Sequence, residues 1–163
     1  MADPEDSSKS EPAYPRNSES ARSATDPVAD ILSASKTIAI VGLSNRIFRP
    51  SNGVAQYLQS AGYRIIPVNP REREVLGEKS YARLEEVPQR VDIVDIFRRS
   101  EFVPEIVESA IRMGARGIWM QEGVVHREAA ERARRAGLFV VMDSCIVKEH
   151  RRLFASNASH CKW

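Results

Sequence analysis

Residues 37–70 read TIAIVGLSNRIFRPSNGVAQYLQSAGYRIIPVNP, and this stretch decides the fold class. The apolar run Ile38-Ala39-Ile40-Val41 stops at Gly42. A polar loop with Arg46 and Arg49 follows, then a helix-like segment closed by Gly62, then a second apolar run ending in Pro67-Val68-Asn69-Pro70. That order predicts a strand, an anion-friendly loop, a crossover helix and a second strand parallel to the first. Such a unit sets backbone N–H groups and a helix N-terminus at the strand's carboxyl end, where nucleotide phosphates bind.

The alternation continues on both sides. Asp26 and Pro27 suit the cap and first position of a helix running through Leu32. Strand one is expected at 37–42, helix one at 51–61 and strand two at 63–68. The stretch 69–90 is less regular, with a turn at Leu76-Gly77-Glu78-Lys79 and a short helix at 84–87 ended by Pro88. Strand three follows at 91–96, helix two at 101–113 closed by Gly114, and strand four at 117–120. Helix three at 126–136 is closed by Gly137; strand five lies at 138–141 and a last helix at 145–154. Apolar strands separated by helices imply a parallel sheet covered on both faces. Right-handed crossovers make it a Rossmann-like, doubly wound sheet of about five strands, an α/β three-layer sandwich.

Composition sets the frame. The chain has 163 residues, 42% hydrophobic and 28% charged, which suits one soluble domain with its own core. No apolar run has the roughly 18 residues of a membrane helix, and the acidic N-terminus lacks the apolar stretch of a secretory signal. Two cysteines, Cys145 and Cys161, make no disulfide framework, so a reducing cytoplasm is the expected location. Residues 1–30 carry seven acids and three bases, a net of −4 within a chain of net +2. The remainder is therefore basic, as a solvated surface or a polyanion-binding domain would be. Nucleic acid is the poorer candidate, because no run of five bases and no aromatic-studded strand is present. Residues 1–26, rich in Ser, Pro, Glu and Asp, read as a disordered acidic tail. Residues 27–156 form the expected domain and 157–163 a frayed end.

If the topology holds, the loops after the strands converge on one sheet edge. In the first, Gly42 permits a tight turn and close ligand approach. Ser44 offers a hydroxyl, Arg46 and Arg49 can fork onto phosphate oxygens, and Ser51 reads as the cap of the next helix. The loop is neither GxGxxG nor a P-loop. In the second, the two prolines around Val68 stiffen a shelf suited to adenine, and Asn69 stands where an NAD site would place an acid. Phe97, Arg98 and Arg99 follow strand three; Gln121, Glu122 and Gly123 follow strand four. Asp143, Cys145, Glu149 and His150 lie close in sequence but match no zinc spacing, and a lone Cys is more often a small apolar residue than a nucleophile. His126 sits at a helix start.

Taken together, these motifs resemble the small stand-alone CoA-binding proteins, which are similar to the CoA-binding domain of the succinyl-CoA synthetase alpha subunit. The residues that carry the resemblance are IAIVGLS at 38–44, RPSNGVAQYL at 49–58, GYRIIPVNP at 62–70, VLGEKSY at 75–81, VDIVDIFRRSE at 91–101, IWMQEGVV at 118–125 and MDSCIVKEHRRL at 142–153. The resemblance implies a site for coenzyme A. By position, Gly42, Leu43 and Ser44 would meet the phosphate-bearing part, with Arg49 and Ser51 nearby. Val68, Asn69 and Pro70 would flank the nucleotide. Phe97 and Arg98 would line the pantetheine side, with Gln121 and Gly123 at the far wall. Ser144 stands where the family suggests an arginine, and His126 where it suggests an asparagine.

The larger synthetases use a phosphorylated histidine on a second domain and a partner subunit, neither of which this sequence shows. The expectation is therefore binding of CoA or an acyl-CoA, without nucleic acid or membrane and without a catalytic step of its own. A homodimer or an unidentified protein partner stays open. The alternatives are an NAD(P)-dependent oxidoreductase and a nucleotide-sensing interaction module.

Overall fold

The computed structural model describes residues 25–155. The expectations for the acidic tail, other than its last two residues, and for the frayed end fall outside that range. Asp26 belongs to the folded unit: its carboxylate accepts the Val28 N–H at 2.9 Å and starts helix α1 (Pro27–Ala34).

The strands and helices then alternate as β1 (Thr37–Val41), α2 (Pro50–Ser60), β2 (Arg64–Val68), β3 (Glu74–Val75), β4 (Glu78–Lys79), β5 (Ile93–Ile96), α3 (Val103–Met113), β6 (Gly117–Met120), α4 (Arg127–Arg135), β7 (Phe139–Val141) and α5 (Ile146–Phe154). Five strands form one all-parallel sheet in the order β2-β1-β5-β6-β7. The expected α/β Rossmann-like sandwich is the observed fold. Alternate side chains of each strand bury on opposite faces. Ala39, Val41, Val94, Ile96, Ile118 and Met120 pack against α3 and α4. Ile38, Ile40, Ile93 and Trp119 pack against α1, α2 and α5. Burial on both faces is why the strands read as almost unbroken apolar runs. Among the described residues no helix is long and apolar enough to cross a membrane.

The departures from expectation are local. The turn expected at 76–79 is the centre of a small antiparallel hairpin of β3 and β4. Leu76 and Gly77 carry φ of 52° and 79°, the left-handed pair that a two-residue hairpin turn requires. Strands of two residues are too short to show a periodicity. The expected strand start at 91 moves to Ile93, and the expected start of helix two at 101 becomes a 3₁₀ turn, Ser100–Phe102, leading into α3. A second 3₁₀ turn spans Leu84–Glu86.

The order of strands places the site. The chain moves from β1 outward to β2, then returns past β1 to build β5, β6 and β7. The direction of winding reverses between β1 and β5, and beyond the carboxyl ends of these two strands a crevice opens.

Candidate functional site at the carboxyl edge of the sheet

The crevice begins at Gly42. Its N–H donates to the Val68 carbonyl at 2.8 Å, and its φ of 92° turns the chain out of β1. The loop that follows is held by side chains as much as by backbone. The Ser44 N–H donates to Ser51 Oγ at 3.2 Å, and Ser44 Oγ accepts the Arg46 N–H at 3.2 Å. Asn52, 1% exposed, donates through Nδ2 to the Ser44 carbonyl at 2.9 Å. Asn69 Nδ2 donates to the Leu43 carbonyl at 2.9 Å, while Asn69 Oδ1 accepts the Arg71 N–H at 3.0 Å. Asn45 ties the loop to Glu72 through its N–H and its amide. The loops after β1 and β2 are thus one connected scaffold.

Ser51 corrects an expectation. It is not the cap of α2, which starts at Pro50 with Arg49 in the cap position and no side-chain cap bond. The Ser51 hydroxyl faces the loop and receives the Ser44 amide. The uncapped first turn of α2 keeps its helix-end positive potential toward the crevice.

Two adjoining cavities occupy this edge. The wider, about 820 Å³, is lined by Gly42, Ser44, Arg49, Ser51, Asn69, Phe97 and Arg98, together with Arg46, Arg71, Glu72, Arg99 and Phe102. The narrower, about 410 Å³, is lined by Val68, Pro70, Leu84, Phe102 and Ile106, with Arg83, Glu85, Glu105 and Ser109 among its polar groups. Gly42, Arg98 and Phe102 belong to both. The Arg98 guanidinium stacks 4.6 Å from the centre of the Phe102 ring, a cation–π contact that sets its direction.

The wider cavity is strongly basic. Among the described residues, Arg46, Arg49, Arg71 and Arg98 make no ion pair. Arg99 meets Glu101 only at 4.0 Å, with both side chains exposed, which is a weak contact. A group of guanidinium ions without ion-pair partners around one cavity suits a polyphosphate.

Three of the expected residues line neither cavity. The Leu43 side chain is fully buried in the core under the loop, leaving only its backbone at the edge. Gln121 is 4% exposed and donates through Nε2 to Asp95 Oδ1 at 2.7 Å. The Gly123 N–H donates to Asp143 Oδ1 at 2.8 Å. Both shape the loop after β6: Gln121 is turned into the core, and Gly123 is exposed outside the two cavities.

Other groups were not read as site residues from the sequence. Glu85 comes from the irregular stretch, Phe102 from the 3₁₀ turn before α3, and Glu105 and Ser109 from α3; only the return of the chain across β1 brings them to the edge. Asp95 is fully buried in β5, with Oδ2 unpartnered. Burial pushes its pKa up to about 8, outweighing the opposing effects of the Gln121 amide and the Ile96 N–H. A lone acid within the apolar run Ile93-Val94-Asp95-Ile96 was the available signal.

The Cys145 region has another role. Cys145 is the half-buried cap residue of α5. His150 Nδ1 pairs with the Tyr57 hydroxyl at 2.8 Å, joining α5 to α2, and burial lowers its pKa. His126 caps α4 by accepting the Ala129 N–H at 3.1 Å. Among the described residues no three His, Cys, Asp or Glu side chains gather as metal ligands would.

A protein-family model described as a CoA binding domain matches residues 36–151, spanning all seven strands and the loops of the crevice. This chain belongs to the CoA-binding-domain family. The resemblance seen in the motifs is therefore to the right family. The chain is 44% identical over 123 residues to the uncharacterized protein YneT of Bacillus subtilis, covering 76% of this chain and 91% of that protein. It is 27% identical over 121 residues to the ADP-forming acetate–CoA ligase I of Archaeoglobus fulgidus, covering 68% of this chain but only 18% of the ligase. A solved hypothetical protein from Pyrococcus horikoshii superposes with a TM-score of 0.75 at 40% identity, covering 77% of this chain and 89% of that one.

Proposed function

We propose that this member of the CoA-binding-domain family binds coenzyme A, or an acyl-CoA, at the carboxyl edge of its sheet and performs no chemical step of its own. The observation that carries the reading is the wider cavity, where four arginines without ion-pair partners among the described residues surround the loop after β1 at the point where the winding reverses. Coenzyme A carries a diphosphate and a ribose 3′-phosphate, and forked guanidinium contacts fit such oxygens. The narrower cavity, with Val68 and Pro70 on one side and Phe102 and Ile106 among its other walls, is apolar enough for the adenine ring.

Gly42, Ser44 and Ser51 form the phosphate floor in this reading, with Arg49 and Arg98 on the phosphates and Phe97 beside the pantetheine arm. Leu43 contributes its backbone. Gln121 and Gly123 act by setting the loop after β6, along which the pantetheine arm runs. Asn69 serves as a brace between loops. An NAD site is disfavoured because the acid nearest the end of β2, Glu72, is held by Asn45. The same reading places the protein in the cytoplasm, where CoA and reduced thiols are at hand.

Calorimetric titration of the ligand-stripped protein with CoA, and with NAD, NADPH and ATP as controls, tests the proposal. Saturable CoA binding with weak response to the controls is the expected result. Tighter binding of NADPH than of CoA would overturn it.

A further inference from the structure

Among the described residues the exposed large hydrophobics are Ile47, Phe48 and Val125, and each stands on a loop at the carboxyl edge of the sheet. Ile47 and Phe48 are the most open, at 80% and 76%. They fill the centre of a β-turn closed by the Arg49 N–H, which donates to the Arg46 carbonyl at 3.0 Å. Turn centres are most often Gly, Pro, Asn, Asp or Ser, which expose no large apolar surface. The base of the turn is braced. Ser44 Oγ accepts the Arg46 N–H, and Asn45 Nδ2 donates to the Glu74 carbonyl at 2.8 Å and to the Glu72 carboxylate at 3.1 Å. The two apolar side chains thus project from a fixed support, which lowers the ordering cost of any contact they make.

The charge around this tip has one sign. Arg46 and Arg49 flank it, and Arg71, Arg98 and Arg99 line the same cavity, all five exposed. A second copy of this chain is a poor occupant, because two such sets of arginines repel each other. A folded protein partner is also disfavoured. Two side chains bury on the order of 300 Å², against the roughly 800 Å² per partner of a stable protein interface. An anionic lipid surface requires neither that area nor a matching pocket. It admits a projecting apolar tip at the boundary of headgroups and acyl chains, and its phosphates pair with guanidinium groups. Apolar insertion joined to cationic attraction is the pair of signals that reversible membrane contact needs.

We propose that the Arg46–Arg49 turn is a peripheral attachment point for an anionic lipid surface, with Ile47 and Phe48 entering the headgroup layer and the adjoining arginines meeting lipid phosphates. The expectation of no membrane rested on the lack of a spanning segment, and a surface contact needs none. The proposal goes beyond the CoA reading and does not depend on it. A soluble phosphate offers the arginines the same chemistry, but it has no use for the two apolar side chains.

The test is cosedimentation of the full, ligand-stripped chain with vesicles of phosphatidylcholine alone and of phosphatidylcholine mixed equally with phosphatidylglycerol. Wild type is compared with the double variant Ile47→Ser/Phe48→Ser, and thermal melts check the fold of both. Binding to the mixed vesicles is expected to exceed binding to phosphatidylcholine roughly tenfold or more, and to weaken with added salt. The double variant should lose roughly tenfold of that binding while keeping the wild-type melt. In Phe48→Trp the fluorescence of the new indole, read against wild type as blank, should move to the blue when mixed vesicles are added. Calorimetry with glycerol phosphate, the soluble headgroup, should give the same affinity for wild type and the double variant. Absence of vesicle binding, or binding that survives unchanged in the double variant, would overturn the inference. So would an equal loss of glycerol phosphate binding, which would assign the tip to a soluble ligand. A dimer in lipid-free sedimentation that disappears in the double variant would assign it to a second copy and overturn the inference as well.

Discussion

Gly42 and Phe97 approach so closely that a Cβ atom on Gly42 would lie 2.9 Å from the Phe97 carbonyl oxygen. These two residues are the first beyond the ends of β1 and β5, the neighbouring strands between which the winding reverses. The contact sets how tightly the two loops of the crevice fit together. Since the opposing atom is backbone, no side chain can move aside to make room.

Gly42→Ala follows from this contact. It meets both a φ of 92° and the Phe97 carbonyl. Strain of this kind costs about 1–3 kcal/mol, and the backbone clash adds to it. The expected outcome is a stability loss above about 2 kcal/mol in urea titration, with weakened CoA binding. Unchanged stability would mean the loops part more easily than their packing indicates.

The buried acid gives a pH dependence of stability. The Asp95 pKa is raised from 3.8 to about 8 in the fold. Between those values the unfolded chain has released this proton while the folded one retains it. The folded state then binds more protons, so stability falls as pH rises through the window, with a slope approaching about 1.4 kcal/mol per unit. His150 acts in the opposite sense. Its pKa is lowered from 6.5, so stability attributable to it falls as pH drops below that value. Asp95→Asn is expected to match wild type in acid and exceed it near neutrality. Parallel pH profiles of the two proteins in denaturant titrations would contradict the assignment.

The two kinds of residue in the first loop should separate in experiment. Arg49 lines the wider cavity and makes no ion pair among the described residues, so Arg49→Ala should leave stability within about 0.5 kcal/mol. It should weaken CoA binding by roughly tenfold and flatten its salt dependence. Asn52 is buried, bonded to Ser44 and accepting from Gln56 Nε2 at 2.6 Å. Asn52→Ala should therefore cost about 1–3 kcal/mol of stability. Thermal melts and calorimetry on the pair would show whether scaffold and ligand contacts divide this way.

Ile47 and Phe48 stand 80% and 76% exposed at the tip of the same loop. Side chains this exposed contribute little burial to the fold. Replacing both with serine should shift the unfolding free energy by less than about 0.5 kcal/mol per site. A larger loss in urea titration would show that the tip packs against the rest of the protein in solution.

What the sequence determined by itself is what local chemistry controls. The apolar runs at 38–41, 65–68, 93–96 and 118–120 are strands because both faces of a parallel sheet are buried, and that pattern is visible without knowing the neighbours. Asp26 with Pro27, and the glycines at 62, 114 and 137, mark helix ends because capping depends on a few adjacent residues. The basic, glycine-led loop after β1 was equally legible, and with the motifs it pointed to the family. The tertiary structure alone decided the rest. Strand order brings Phe97 against Gly42, residues far apart in the chain whose meeting no local signal encodes. The same crossing carries Glu85 and Glu105 to the crevice, turns Gln121 inward onto Asp95, and makes Ser51 a brace for Ser44 rather than a helix cap. Whether a polar side chain faces a ligand, caps a helix or is buried depends on which other strands and loops surround it. Those surroundings come from long-range packing, whereas helix and strand pattern are written residue by residue.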